Sequence, residues 1–109
     1  MSMYVYSNWL PRIINNVYMQ HKNDNIKFLI KEFGKCVRSE RLKKTDTSLT
    51  LFAYEYELDS GNLSRLENGL IDSKLSMLWR IAEALDMKLS DLIKIVENEL
   101  GDEFYIIEK

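Results

Sequence analysis

The segment from residue 58 to 69, LDSGNLSRLENG, has the composition of a helix that lies close to a charged surface. At about 100° per residue, Leu63 and Leu66 point to one side of such a helix and define the direction of the core. The outward side then consists of Gly61, Ser64, Arg65 and Asn68, with Ser60 at its margin. Small residues near the helix start permit a close approach, and the first backbone N–H groups can bind phosphate oxygens. The segment is a candidate contact surface for an anionic partner.

Catalytic and metal-binding chemistry has little support in the sequence. The chain contains one histidine and one cysteine, which excludes metal sites built from several such ligands. Glu55 and Glu57 are two residues apart on a predicted helix, so their carboxylates diverge instead of meeting at a substrate. No glycine-rich phosphate loop occurs. We expect no enzymatic activity, no cofactor and no metal site.

The length of 109 residues leaves room for one domain. Cys36 is the single cysteine, so no intrachain disulfide can form, and we interpret it as a small buried apolar side chain in a reducing compartment. No apolar run approaches the ~20 residues that span a bilayer, and the start MSMYVYSNWLPR lacks the basic and apolar regions of a signal peptide. The predicted location is the cytoplasm.

Charge is unevenly distributed along the chain. The formal net charge is −2, but residues 22–46 carry eight Lys or Arg against four acids, whereas residues 47–109 carry six against thirteen. A nucleic acid would therefore have to bind a local surface instead of the whole protein.

The pattern of apolar residues predicts a mostly α-helical chain. Four glycines and one proline leave long stretches without a helix breaker. Apolar residues recur every three to four positions in six segments, which predict helices at about 9–21, 26–44, 49–56, 60–67, 74–85 and 91–100. The polar stretch HKNDN at 21–25 separates the first two helices. Short β-branched and aromatic segments at 3–6 and 104–107 are predicted as β-like ends.

Several residues are predicted to start or end these helices. The expected N-caps are Asp24 or Asn25, Thr47 or Ser48, Asp59, Ser73 and Ser90. Gly69 is expected to end the fourth helix in the left-handed conformation. Gly101 is expected to end the last helix. The predicted organisation is an N-terminal extension of an arm and a helix over 1–22, a helical domain over 23–100 and a tail over 101–109.

Two short helices joined by the turn ELD describe a helix-turn-helix, whose second helix can enter the major groove of DNA. From residue 33 to about 93 the chain resembles the Xre-like helix-turn-helix family of the phage-repressor type. The resemblance rests on VRSER, FAYEYELDSGNLSRLENG and LSMLWRIAEALDMKLSDLI. It implies an all-α, five-helix repressor-like domain, here with an extra N-terminal helix. The implied function is sequence-specific binding of double-stranded DNA by a transcriptional regulator.

The resemblance also implies positions that contact DNA. Base-edge contacts fall on Asp59, Ser60, Gly61 and Arg65. Contacts to the DNA backbone fall on Lys43, Lys44, Ser48, Ser64, Asn68 and Lys74. Arg65 is the strongest of these candidates because a guanidinium can bind O6 and N7 of guanine together. The alternative is that Arg65 forms a surface ion pair with Glu55 or Glu67.

Some positions have other implied roles or depart from the family pattern. Glu67 matches an acid that pairs with an arginine of the first helix, which is Arg41 here, so a structural pair is expected. Leu49 stands where the family commonly has a glutamine that contacts the DNA backbone. Glu57 replaces the turn glycine and must adopt a left-handed conformation or a different turn. Asp59 is unfavourable near phosphates unless it caps the helix or accepts a hydrogen bond from a cytosine amine.

The partners follow from the same interpretation. Repressor-type domains usually bind two half-sites as dimers, so we expect double-stranded DNA and a homodimer built by the terminal extensions. The alternative for these extensions is that they cover the core of their own monomer. A rival function keeps the fold without DNA binding, as a protein-interaction module or the antitoxin-like partner of another protein.

Overall fold

The computed structural model describes the backbone of residues 10–107 and the side chains of residues 24–107. Its helices are α1 (Leu10–Lys44), α2 (Leu49–Glu55), α3 (Ser60–Glu67), α4 (Leu75–Ala84) and α5 (Leu89–Leu100). The predicted all-α class is confirmed. Residues 104–107 form no strand, so their β-like interpretation was wrong, because a strand needs a second strand to pair with. Residues 3–6, the other predicted β-like segment, lie outside the described residues.

The first two predicted helices are one continuous helix. α1 runs from Leu10 to Lys44 without a break at HKNDN, so neither Asp24 nor Asn25 is an N-cap. Polar residues interrupt the apolar pattern there, but the stretch holds no glycine or proline. Each of its residues lowers helix stability by only about 0.7 kcal/mol or less relative to alanine. The side chain of Asn25 instead donates a hydrogen bond from Nδ2 to the carbonyl oxygen of Tyr105, at 2.9 Å.

The chain divides into two compact units. One consists of residues 1–28 and 105–109, and the other of residues 29–104. The domain boundaries that the sequence predicts, after residues 22 and 100, stay predictions. Within the described residues, no helix is both long enough and apolar enough to cross a membrane.

The unit of residues 29–104 has a core to which every helix contributes. α2 packs against α3, and α4 packs against α5. The most deeply buried side chains are Val37 of α1, Phe52 of α2, Leu63 and Leu66 of α3, Ile81 of α4 and Leu92 of α5. Burial of each such side chain contributes about 1.5 to 3 kcal/mol, so these contacts fix how the helices pack.

The helix ends are specified locally in some places and not in others. Ser48 and Asp59 cap α2 and α3 as predicted. The predicted caps Ser73 and Ser90 are wrong: the N-caps of α4 and α5 are Lys74 and Lys88, which make no side-chain cap bond. An N-cap must directly precede the first helical residue, and Ser73 lies one residue too early while Ser90 lies inside the first turn.

Candidate nucleic-acid interface

The helices α2 and α3 are joined by residues 56–59, which contain the predicted turn ELD at 57–59 and begin one residue before it. The backbone N–H of Leu58 donates to the carbonyl of Ala53 at 2.8 Å, which closes the end of α2. Glu57 occupies the left-handed region with φ of 57°, one of the two solutions that the sequence leaves open for this position. Leu58 is buried and ties the turn to the core. The two helices and their turn form a helix-turn-helix.

The sides of α3 follow the predicted pattern. Leu63 and Leu66 are buried in the core. Ser60, Gly61 and Ser64 are partly exposed, and Arg65 and Asn68 are exposed. Leu49, which stands at the position of a family DNA contact, packs instead against the edge of the core. The outward side of α3 is therefore made of small residues and one long cation.

Asp59 caps the N-terminus of α3. Its Oδ1 accepts a hydrogen bond from the backbone N–H of Asn62 at 2.8 Å. The carboxylate thus satisfies one of the free N–H groups of the first turn and interacts favourably with the positive end of the helix dipole. This cap bond occupies one oxygen of Asp59 and leaves the other free to accept a hydrogen bond.

Arg65 is bonded within its own helix. Its Nη2 donates to Oδ1 of Asn62 at 2.6 Å. No carboxylate of the described residues lies within 4.0 Å of this guanidinium, so the surface ion pair with Glu55 or Glu67 is not formed. Asn62 was not among the residues that the sequence analysis selected, although its spacing of three from Arg65 on a helix is a signal for such a contact.

Other candidate contact residues are partly engaged in the fold. Asn68 is the C-cap of α3, and its Nδ2 donates to the carbonyl oxygen of Ser64 at 2.8 Å. Oγ of Ser48 accepts from the backbone N–H of Leu51 at 3.2 Å. Nζ of Lys43 lies 3.0 Å from a carboxylate oxygen of Glu40. Ser48 and Lys43 keep at least one further donor for a phosphate, whereas Nδ2 of Asn68 also donates to Oγ of Ser64 at 3.5 Å.

Two lysines lie near helix ends and are exposed. Lys44 is the last residue of α1, and Lys74 is the N-cap of α4. Both are long, flexible cations that suit contact with phosphates.

The side chains of Arg41 and Glu67, which the resemblance predicts as a pair, are bonded to each other. Nε and Nη2 of Arg41 donate to the two carboxylate oxygens of Glu67 at 2.7 and 2.9 Å. Both side chains are buried. The bond to Glu67 raises the pKa of the Arg41 guanidinium above its ordinary value, so the arginine stays charged. The pair connects the end of α1 to the end of α3.

Two glycines lie at close contacts between α1 and the C-terminal end of α3. The sequence analysis missed Gly34 and predicted Gly69 only as the residue that ends the helix. A Cβ on Gly34 of α1 would overlap the carbonyl oxygen of Leu66 and lie 2.8 Å from that of Glu67. A Cβ on Gly69 would lie 2.9 Å from Cα of Lys31. The signal for Gly34 was a glycine inside an amphipathic helix, where it costs about 1 kcal/mol relative to alanine unless a close approach requires it.

Metal ligation has no candidate among the residues with described side chains. No group of three or more His, Cys, Asp or Glu side chains in residues 24–107 is arranged to hold an ion.

This chain is similar to known regulatory proteins in sequence and in fold. No family model matches it. The control protein C.MunI from a Mycoplasma species is 36% identical over 67 residues, which are 62% of this chain and 90% of that protein. The crystal structure of the clp gene regulator ClgR from C. glutamicum superimposes with a TM-score of 0.60 and 24% identity, over 69% of this chain and 96% of that chain. The second match supports the helical fold, and the first, by its identity and coverage, shows that this chain belongs to the family of the control protein C.MunI.

Proposed function

We propose that this protein is an Xre-like transcriptional regulator that binds a specific double-stranded DNA sequence with α3 in the major groove. The observation that carries the proposal is the composition of the outward side of α3, where Arg65 is the long charged residue and its neighbours are small. The opposite side is held to the core by Leu63 and Leu66. Membership in a family of control proteins agrees with a regulator and not with an enzyme.

Base recognition would be sparse and centred on Arg65. Its guanidinium can bind O6 and N7 of one guanine, which discriminates against other bases by about 1 to 3 kcal/mol. Asp59 and Ser60 lie at the start of α3, where one carboxylate oxygen and one hydroxyl can contact neighbouring base edges. Gly61 reads no base, but it lets the helix approach the groove. DNA shape would supply part of the remaining specificity.

Affinity would come largely from contacts to the DNA backbone. The residues proposed for these contacts are Lys43, Lys44, Ser48, Ser64, Asn68 and Lys74. Because the chain is acidic overall, these contacts must be local. Each phosphate that is neutralised should steepen the salt dependence of binding by about 0.9 in the slope of log K against log salt concentration.

The test is selection of duplexes from a random pool by the wild-type protein, followed by affinities for the selected sequence over a salt series. Arg65→Ala should bind with reduced preference for the selected sequence, losing most of the discrimination at one base pair. Arg38→Ala is the matched control, because Arg38 is an exposed arginine of α1 and its loss removes the same charge. The control should keep the sequence preference. Equal loss of preference in both variants would contradict the role of Arg65.

One observation favours the rival function of a protein-interaction module or antitoxin-like partner. Leu51 and Tyr54 lie one turn apart on α2, and Tyr54 is 83% exposed. Apolar residues that are exposed side by side are common at protein interfaces. If the wild-type protein enriches no duplex from the random pool, this function replaces DNA binding.

We infer that the regulator acts in the cytoplasm as a homodimer, with the segments 1–22 and 101–109 flanking a DNA-binding domain over 23–100. The exposed Ile107 supports a role for the C-terminal tail in the dimer, since it is 66% exposed. Size-exclusion chromatography with light scattering should give twice the 12.9 kDa chain mass for the wild type. Ile107→Glu should yield monomers, whereas Leu70→Glu, a matched change at a residue that is 70% exposed, should not. A dimeric Ile107→Glu variant would contradict the role of the tail.

A further inference from the structure

Three polar residues spaced by three form a bonded row along α3. Asp59 accepts from the backbone N–H of Asn62, and the side-chain oxygen of Asn62 accepts from Nη2 of Arg65. Asn62 and Arg65 are both exposed, so neither is held in place by burial. The bond of 2.6 Å between them is the contact that orients the Arg65 side chain among the described residues.

The guanidinium of Arg65 lies over the backbone of α3 at Gly61. A Cβ on Gly61 would be 3.4 and 3.5 Å from Nη1 and Nη2 of Arg65, and 3.2 Å from Oδ1 of Asp59. The arginine is thus directed toward the N-terminal end of the helix, which is also the usual direction of long side chains on helices. These distances to Arg65 are ordinary van der Waals contacts, so the guanidinium lies directly against the helix surface at position 61.

We propose that Asn62 is a positioning residue for Arg65, which sets the orientation of the guanidinium before DNA is bound. The inference rests on the proposed function, since it assigns a role in base recognition. The bond to Asn62 uses one of the five N–H donors of the guanidinium, so two others stay available for O6 and N7 of guanine. A side chain that is already oriented loses less freedom on binding, and for a long side chain this is worth about three- to ten-fold in affinity. Asn62 itself need not contact a base.

The first experiment measures the orientation of Arg65 without DNA. Nitrogen-15 relaxation of the Arg65 side-chain Nε should report a higher order parameter in the wild type than in Asn62→Ala. Asn98→Ala is the matched control, because Asn98 is an exposed asparagine on α5. An unchanged order parameter in Asn62→Ala would overturn the proposal. Alanine is well tolerated in a helix, so the variant should remain folded.

The second experiment measures base discrimination. Affinities are determined for the selected duplex and for duplexes with each base pair replaced in turn. Asn62→Ala should reduce discrimination about three- to ten-fold at the one base pair that Arg65→Ala also affects, with an unchanged salt slope. In an Arg65→Ala background, the Asn62→Ala change should have no further effect at that base pair. Asn98→Ala should behave as the wild type.

The outcomes separate the two proposals. Two outcomes would overturn the positioning role when the wild type does select a sequence. In one, Asn62→Ala loses discrimination at a different base pair; in the other, its loss adds to that of Arg65→Ala. Either result would mean that Asn62 contacts a base itself. If the wild type selects no sequence, the proposed function fails and the inference fails with it. Loss at the base pair of Arg65, together with the lower order parameter, supports the inference.

Discussion

Arg41 of α1 and Glu67 of α3 form a two-fold hydrogen-bonded ion pair inside the protein, with donor to acceptor distances of 2.7 and 2.9 Å. The residues are only 6% and 7% exposed. A charge removed from water in this way is tolerated because its partner and both hydrogen bonds are present. The pair holds the C-terminal turn of α3 against α1, and the outward side of α3 is oriented as a result.

Removing one charge of this pair should destabilise the protein strongly. Glu67→Gln leaves the buried guanidinium without its counter-charge, and we expect the free energy of unfolding to fall by about 3 kcal/mol. Urea unfolding at neutral pH measures this change. Glu40→Gln is the matched control, since Glu40 bonds the exposed Lys43 at 3.0 Å, and we expect it to cost about 0.5 kcal/mol or less. Equal decreases in the free energy of unfolding for the two variants would show that burial of the pair does not affect stability.

A methyl group at Gly34 should separate α1 from α3. Its Cβ would collide with backbone carbonyl oxygens at Leu66 and Glu67, which cannot rotate away as a side chain can. We expect Gly34→Ala to lower the free energy of unfolding by at least about 2 kcal/mol, despite the better helix propensity of alanine. Gly61→Ala is the control, because its Cβ meets only side-chain atoms, and it should stay within about 1 kcal/mol of the wild type. A Gly34→Ala variant as stable as the control would disprove the close approach.

The left-handed backbone at Glu57 should be relieved by glycine. Glu57 has φ of 57°, a conformation that costs a residue with a Cβ about 1 kcal/mol or more. We expect Glu57→Gly to raise the free energy of unfolding by up to about 1 kcal/mol, since glycine also has more freedom to lose on folding. Asp86→Gly, at φ of 59°, should give a smaller gain because aspartate tolerates this region better. Thermal unfolding of both variants tests which of the two substitutions stabilises the protein more. A Glu57→Gly variant less stable than the wild type would contradict the prediction.

The thiol of Cys36 should be slow to react in the folded protein. Burial raises its pKa above the ordinary value of 9.0, and the carboxylates of Glu99, Glu32 and Glu40 raise it further. A raised pKa means that less thiolate, the reactive form, is present at each pH below and near 9. Iodoacetamide alkylation followed by mass spectrometry should therefore show a higher pH midpoint in the native state than in urea.

The matched control for this alkylation is a Ser39→Cys, Cys36→Ser double variant, in which the thiol lies at an exposed position of α1. It should react faster than Cys36 at every pH. A native midpoint at or below the midpoint measured in urea would contradict the effect of burial.

The features that the sequence predicted correctly are those set by neighbouring residues. Apolar spacing located α2, α3, α4 and α5. The caps Ser48 and Asp59 each accept from the N–H three residues beyond them in the chain, and Gly69 adopts its left-handed φ of 69° at the end of α3. Such interactions depend on local geometry, which a short segment determines by itself. The outward side of α3 follows from the same periodicity.

Several features that the sequence did not predict depend on residues distant in the chain. The polar stretch at 21–25 continues as helix, and residues 104–107 form no strand, because helix continuation and strand pairing are decided by the surrounding structure. The collision that a Cβ on Gly34 would make with Leu66 exists only once α1 and α3 are placed. The bond of Arg65 to Asn62 is local to α3, but it depends on the rotamers of two exposed side chains, which apolar spacing does not indicate. The sequence by itself determined the helices and the side of α3 that faces outward. Only the tertiary structure decided how closely α1 approaches α3, because that distance results from packing between residues distant in the chain, which helical periodicity does not encode.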